Sequence, residues 1–565
     1  MKSRARHLWL PLAIISIALL VPAQALAAWP TDPARLQLPA VRQAGADRFA
    51  TAAAAAAAAY PDWAGVDHVV IASGDDRAAV DPLAASGLCW AYDAPLLLTS
   101  RGSTPSSTLA ALRAIASVNP TVTVTVVGGT YAVPPARVDE LRSALPTASV
   151  EQPWTSGDRY QLARQISARI SSVAATRGLS RPSAAFVVNG AETARFSDAL
   201  AASAVSRTTG VPVVLTRGDV ATDAAASALW ALAPSEVIIV GGEQAVSAAT
   251  YRALGGTSRW WGQNRYSTAV SVGRESMDRG WSAGTTVGIA AALPDALAGA
   301  ASLGRSGGIL LVTDRSSLSR EVWSQLLSMS QQPECVLFGG PVAISDGVFR
   351  ELQGAPGRPV MDATTPGAWV GKTMRVAGRA ASNTTEVTLY VAGTRIGSRA
   401  VVPYGSYDFG LVSSPSKSGT VEVRATNPDG ATASATRTVS RLVYPYATCI
   451  IIDKSDFRLY WIKDNALVKA YPIAIGREGM ETPLRTWRIL AKYHSDPASV
   501  YGPRKMRLFR QSDSGWLYTS YLIHGTSEPW VIGSKASHGC IRMYNSDVLE
   551  LFPQVPLGTY VITRN

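Results

Sequence analysis

His524, His538 and Cys540 fall within 17 residues of a 565-residue chain that has only five histidines and four cysteines. The segment reads Ile523-His524-Gly525-Thr526 and then Ser537-His538-Gly539-Cys540-Ile541-Arg542-Met543. A thiol becomes a strong nucleophile when a base takes its proton, and a nearby imidazole is the usual base. Glycine ahead of the cysteine lets backbone approach a substrate closely, so that amide N–H groups can meet a developing oxyanion. These residue types in this order point to acyl transfer through a thioester on Cys540. A zinc site made of His524, His538 and Cys540 lacks a fourth ligand at metal spacing, so neither metal nor cofactor is expected. The remaining alternative is a buried structural cluster, although a His-Gly-Cys turn offers little to pack.

The elements that must hold these residues are strands. Cys449-Ile450-Ile451-Ile452-Asp453, Arg458-Leu459-Tyr460-Trp461 and Tyr471 to Gly476 precede the segment, and Leu557 to Ile562 follow it, which predicts a mostly β domain. From Tyr444 to the end, 15 Lys or Arg face 10 Asp or Glu, a net +5 with Arg504, Lys505, Arg507 and Arg510 clustered. Most of that cluster is expected to be solvated surface, and part of it to lower the Cys540 pKa or attract carboxylates.

This constellation resembles the L,D-transpeptidase family, also called the YkuD domain, over residues 446–565. The resemblance implies that Cys540 is the nucleophile and His524 the proton acceptor, oriented by the carbonyl of Gly525. It also implies that the N–H groups of His538, Gly539 and Cys540 line the oxyanion site, and that Ser537 and Arg542 contact substrate, Arg542 through a carboxylate. The substrate would be the peptide stems of bacterial peptidoglycan, with an amine or water as acyl acceptor. One departure stands out: where the family often has Thr-Pro-x-Gly, this chain has Thr482-Pro483-Leu484-Arg485. A charged side chain in place of a permissive glycine puts the shape of the donor groove in question.

Upstream, one unit occurs three times. It opens with Gly45-Ala46-Asp47-Arg48-Phe49, Gly157-Asp158-Arg159-Tyr160 and Gly262-Gln263-Asn264-Arg265-Tyr266, and its arginines are 111 and 106 residues apart. Each opening leads to a helical stretch, an apolar strand, a helix starting at Asp81, Asp198 or Asp295, a second strand, and a third ending in Gly128-Gly129, Gly241-Gly242 or Gly339-Gly340. Short continuous apolar strands alternating with helices predict parallel sheets covered on both faces. No G-x-G-x-x-G precedes a helix, which argues against dinucleotide chemistry. The units resemble the type 2 cell-wall-binding repeat, here over 44–148, 154–255 and 258–353. That implies a trimer-like arrangement and noncovalent attachment to an anionic wall polymer. Arg48, Arg159 and Arg265 either contact polymer phosphate or carboxylate, or pair structurally with Asp81, Asp198 and Asp295 of the same repeat.

Between repeats and β domain, 354–371 is Pro- and Gly-rich and reads as a linker, and 372–443 alternates like an immunoglobulin-like β-sandwich acting as a spacer. The fold class expected is therefore multidomain: three α/β parallel-sheet repeats, one β-sandwich and one mostly β catalytic domain. Lys2, Arg4 and Arg6 precede an apolar run from Leu8 to Val21 and Ala25-Leu26-Ala27, which reads as a cleaved secretory signal, 1–27, without stable membrane insertion. Net charge is +12, or +9 without those three residues, which suits anionic partners. Outside the cell a wall polymer fits better than nucleic acid, and the protein is expected to be secreted and wall-associated; the resemblance to wall-binding repeats, with a composition rich in Ala, Arg and Gly, implies a Gram-positive bacterium. Cys89, Cys335 and Cys449 lie apart beside apolar residues and form no disulfide framework.

Overall fold

The computed structural model describes residues 36–565 apart from 181–182, 192–195, 292, 363–367, 370–372, 414–418, 442–445 and 465. The expected signal segment lies outside the described residues. Among them, no helix is long and apolar enough to cross a membrane.

Each repeat contributes three parallel strands, and a fourth comes from the segment before the next repeat. In the first sheet the order is Leu96–Thr99, His68–Ser73, Thr123–Val127 and Ser149–Glu151; in the second, Val213–Thr216, Ala184–Asn189, Glu236–Val240 and Ser258–Trp260. The third sheet runs Ile309–Val312, Thr286–Ala290 and Glu334–Phe338, and its last place is taken by Ala40–Gln43 from the start of the described chain. There Ala40 pairs with Cys335 and Gln43 with Phe338, so the three units close into a ring. Ala40–Gln43 and Ser149–Glu151 lie just outside the expected repeat limits, because strands this short carry no periodicity of their own, whereas Ser258–Trp260 opens the range expected for the third repeat. The helices Val80–Tyr92, Phe196–Thr209 and Leu293–Arg305 meet in one core that draws on all three repeats. Their small residues permit the approach: a Cβ on Gly304 would stand 2.5 Å from the Ala204 carbonyl oxygen.

The repeat signature resolves into caps and inter-repeat contacts. Asp47, Asp158 and Asn264 are helix N-caps whose side chains accept backbone N–H bonds, and the arginine after each is the first helical residue. Arg48 donates to the Gly74 carbonyl and pairs with Asp76, and Arg159 donates to the Gly190 carbonyl. The expected pairing within one repeat is corrected. Asp81 of the first repeat feels Arg159 of the second, and Asp295 of the third feels Arg48 and bonds Thr51 of the first. Burial pushes the Asp81 carboxyl up to about 7. Arg265 donates to the Tyr266 hydroxyl.

The presumed linker is also corrected, because it holds Val360–Met361 and Ala368–Trp369, paired to Thr373–Arg379 and Thr432–Arg441. The sandwich has a three-stranded and a five-stranded sheet over one core, including Val376, Leu389, Phe409 and Val423. It joins the third repeat through buried polar groups. Asn383 accepts from Leu36 N–H and Trp323 Nε1 and donates to the Glu351 carbonyl, while Glu351 accepts from Ser382 and from Leu318 N–H. Burial pushes the Glu351 carboxyl up to about 7. The folded protein thus keeps a proton that the unfolded chain loses near 4.5, and the associated stability disappears as pH rises through about 7. Calorimetry of the full chain should show this stability falling between pH 4.5 and about 7, by about 3 kcal/mol at most, and Glu351→Gln should flatten it.

In the last domain eight strands form a sheet closed on itself by the pairing of Arg458–Lys463 with Ala466–Gly476, and Lys535–Ser537 adds at one side. Trp461, Trp487, Ile523 and Ile541 lie in its core.

Candidate active site

The strand Ile541–Met543 runs parallel to Gly515–His524, with Ile523 opposite Ile541 and His524 opposite Arg542. Side chains alternate between faces, so while Ile523 and Ile541 enter the core, His524 and Arg542 share the other face. Cys540 directly precedes the strand Ile541–Met543, and its Sγ lies against the Ser520 carbonyl and the Leu522 backbone of the strand that ends in His524.

His524 is 3% exposed. Its Nδ1–H donates to the Gly525 carbonyl at 2.5 Å, and because a carbonyl only accepts, this selects the tautomer with a bare Nε2. Tyr501 closes the site edge-on, its ring centroid 5.1 Å from the imidazole. Burial pushes the imidazole down to about 4, assisted by Arg542 and Lys505 and opposed by backbone hydrogen bonds with Gly525 and Tyr501. Burial also raises the Cys540 thiol, against the Leu522 backbone and the charges of Arg542 and Arg507. The basic cluster expected to lower this pKa is outweighed by desolvation. At neutral pH the site therefore rests as a thiol beside a neutral imidazole, with the Sγ–H directed to the Ser520 carbonyl at 3.8 Å.

The turn carrying Cys540 is held from two sides. Ser537 is 1% exposed; its hydroxyl donates to the Cys540 carbonyl at 2.6 Å and accepts the Gly539 N–H at 3.1 Å. Ser537 is thus a turn holder rather than a substrate contact, and the Gly539 amide expected at the oxyanion site is engaged by it. Thr482, fully buried, donates to the Gly539 carbonyl at 2.9 Å and accepts from Gly476 N–H at 3.0 Å. This is the place of Thr-Pro in the motif. Arg485 at its end is exposed with an ordinary backbone, and its carbonyl accepts from Thr563 N–H, so no glycine is needed there. Thr482→Val preserves shape and removes both bonds; about 1–3 kcal/mol of domain stability should be lost, measurable by thermal unfolding.

Arg542, expected to hold a substrate carboxylate, is instead paired with Glu528, and His538 is exposed with Nε2 3.0 Å from Arg477 Nη2. Asn545, which sequence reading missed, accepts the Thr526 N–H at 2.9 Å; its Oδ1 would lie 2.3 Å from a Cβ on Gly525. Among the described residues, no group of three or more His, Cys, Asp or Glu could hold a metal ion.

The family model for the L,D-transpeptidase catalytic domain (YkuD) matches residues 447–563, and that for cell wall binding domain 2 matches 42–138, 155–251 and 259–349, together just over half of the chain. The chain belongs to the cell wall binding domain 2 family and ends in an L,D-transpeptidase catalytic domain. That catalytic domain is 38% identical over 117 residues to YkuD of Bacillus licheniformis, covering 21% of this chain and 64% of that protein. It is 34% identical over 131 residues to the L,D-transpeptidase YbiS of Escherichia coli, covering 20% and 43%. The chain thus spans less than two thirds of the length of either relative. Cwp6 from Clostridium difficile is 22% identical with a TM-score of 0.48, covering 56% of this chain and 48% of that one. Within the cell wall binding domain 2 region, the matched segments leave out Ser149–Glu151 and take in only part of Ala40–Gln43 and Ser258–Trp260.

Proposed function

We propose that the C-terminal domain attacks a peptidoglycan stem tetrapeptide at the bond between its third residue and the D-alanine that follows. The observation that carries this reading is a neutral imidazole with a bare Nε2 at the end of the strand whose backbone the Cys540 thiol contacts. As Sγ adds to the carbonyl carbon, His524 Nε2 takes the thiol proton and then gives it to the departing amine. A thioester forms, the peptide bond breaks and D-alanine leaves. An amine of a neighbouring stem then attacks the thioester, its proton passes to His524, and Cys540 is released with a new 3→3 cross-link. Both pKa shifts support a neutral resting pair in which the proton moves only as the bond forms.

The repeats anchor the protein to an anionic wall polymer and the sandwich spaces the enzyme from that anchor, in an exported, wall-associated protein. The repeat family and the net positive charge support this part of the reading.

Mass spectrometry of the full chain with a disaccharide-tetrapeptide, beside Cys540→Ala, tests the chemistry. Cys540-dependent loss of D-alanine with dimer formation is expected. Loss without dimers replaces the transpeptidase by an L,D-carboxypeptidase, and no reaction leaves a wall-bound scaffold with an inactive terminal domain.

A further inference from the structure

Two guanidinium groups approach the Cys540 turn, and they differ in what they already hold. Arg542 lies beside His524 and is paired with the Glu528 carboxylate. Arg477 follows the strand Ala466–Gly476, and its N–H donates to the Ser537 carbonyl at 2.9 Å, which fixes it beside the turn that presents the nucleophile. Its side chain reaches His538 Nε2 at 3.0 Å and Met480 Sδ at 3.7 Å. Both partners are acceptors without formal negative charge. Among the described residues no Asp or Glu carboxylate lies within ion-pair distance of Arg477, and the residue is exposed.

An exposed guanidinium with its charge uncompensated, two residues before Gly479 and against the Ser537-to-Cys540 turn, is poised for a planar anion, which it can grip through two parallel N–H groups. Arg542 would have to give up Glu528 to do the same, whereas Arg477 has no carboxylate to release. We infer that Arg477, rather than Arg542, receives a free carboxylate of the acyl-donor peptide next to the scissile bond. This rests on the proposed stem-peptide reading for the identity of the ligand. Two carboxylates of the donor have this chemistry: that of the terminal D-alanine and one on the side chain of the third residue.

The test uses the full chain carrying Cys540→Ala, which binds without turnover, and calorimetric titration with three disaccharide-tetrapeptides: one with all carboxylates free, one amidated at the terminal D-alanine, one amidated on the third side chain. Adding Arg477→Gln should weaken binding of the free peptide about tenfold and leave unchanged the binding of whichever amidated peptide already binds weakly. That peptide identifies the carboxylate, and Arg477→Lys should recover part of the affinity. In the enzyme with Cys540 intact, Arg477→Gln should raise KM while kcat stays within about threefold. Equal binding of all three peptides by parent and variant overturns the assignment, as does no binding by the parent. If the binding pattern holds while the wild type releases no D-alanine, the catalytic reading fails and the carboxylate site stands.

Discussion

Replacing His524 by glutamine should lower the rate of Cys540 acylation by about 10²- to 10⁴-fold while leaving the thiol in place. Glutamine cannot accept a proton at any working pH, and the resting site provides no thiolate to make up for its loss, since burial holds the Cys540 thiol above its ordinary value. Two pH measurements distinguish this from a preformed thiolate–imidazolium pair. D-alanine release by the wild type should persist as pH falls from 7 to 5 and drop near 4, where His524 takes up a proton and can no longer act as base. Iodoacetamide alkylation of Cys540 without substrate should have its midpoint above the ~8.5 of an ordinary thiol. A midpoint far below that value would mean that the ion pair exists at rest, and the proton-transfer sequence would have to be rewritten.

Gly539→Ala should lose activity to a similar extent, for a different reason. Gly539 has φ 104°, a backbone conformation that costs an L-residue about 1–2 kcal/mol, and the added Cβ would come 2.5 Å from Tyr521 Cε1. Relieving both faults requires the turn between Ser537 and Cys540 to open, which displaces the nucleophile from the strand that ends in His524. We expect at least a hundredfold loss in D-alanine release, in line with the steep dependence of such reactions on placement. The double variant Gly539→Ala with Tyr521→Ala removes the clash but not the backbone strain, so it should recover only part of the loss. Full recovery would show that the ring contact alone mattered.

What could be read from the chain follows from how local each signal is. The histidine, glycine and cysteine of the catalytic turn are close in sequence, and their types already specify a base, a flexible approach and a nucleophile. The repeats were legible because each presents the same apolar strands and helix starts in the same order. The Arg542–Glu528 pair was not, since 14 residues separate them and nothing in their spacing says that the chain turns back. Ser537 was legible as part of the motif but not in its role, because a hydroxyl gives no sign in sequence of whether it meets substrate or backbone. The thiol pKa was misjudged for a related reason: the nearby cationic residues are visible in sequence, whereas the burial that outweighs them is a property of the closed sheet. The strands at Val360–Met361 and Ala368–Trp369 are two residues each, too short to alternate.

Ring closure by Ala40–Gln43 sets an order of events during synthesis. This strand leaves the ribosome before any other described element, yet its partner Glu334–Phe338 is made roughly 300 residues later, and such distant pairings form slowly. The first two repeats can each recruit their fourth strand from the chain that follows at once. The third must reach back to the beginning, and until it does, Glu334–Phe338 has an unpaired edge open to strands of other molecules. Crowded nascent chains would therefore exchange this first strand more readily than any other, linking neighbours through the seam of the ring.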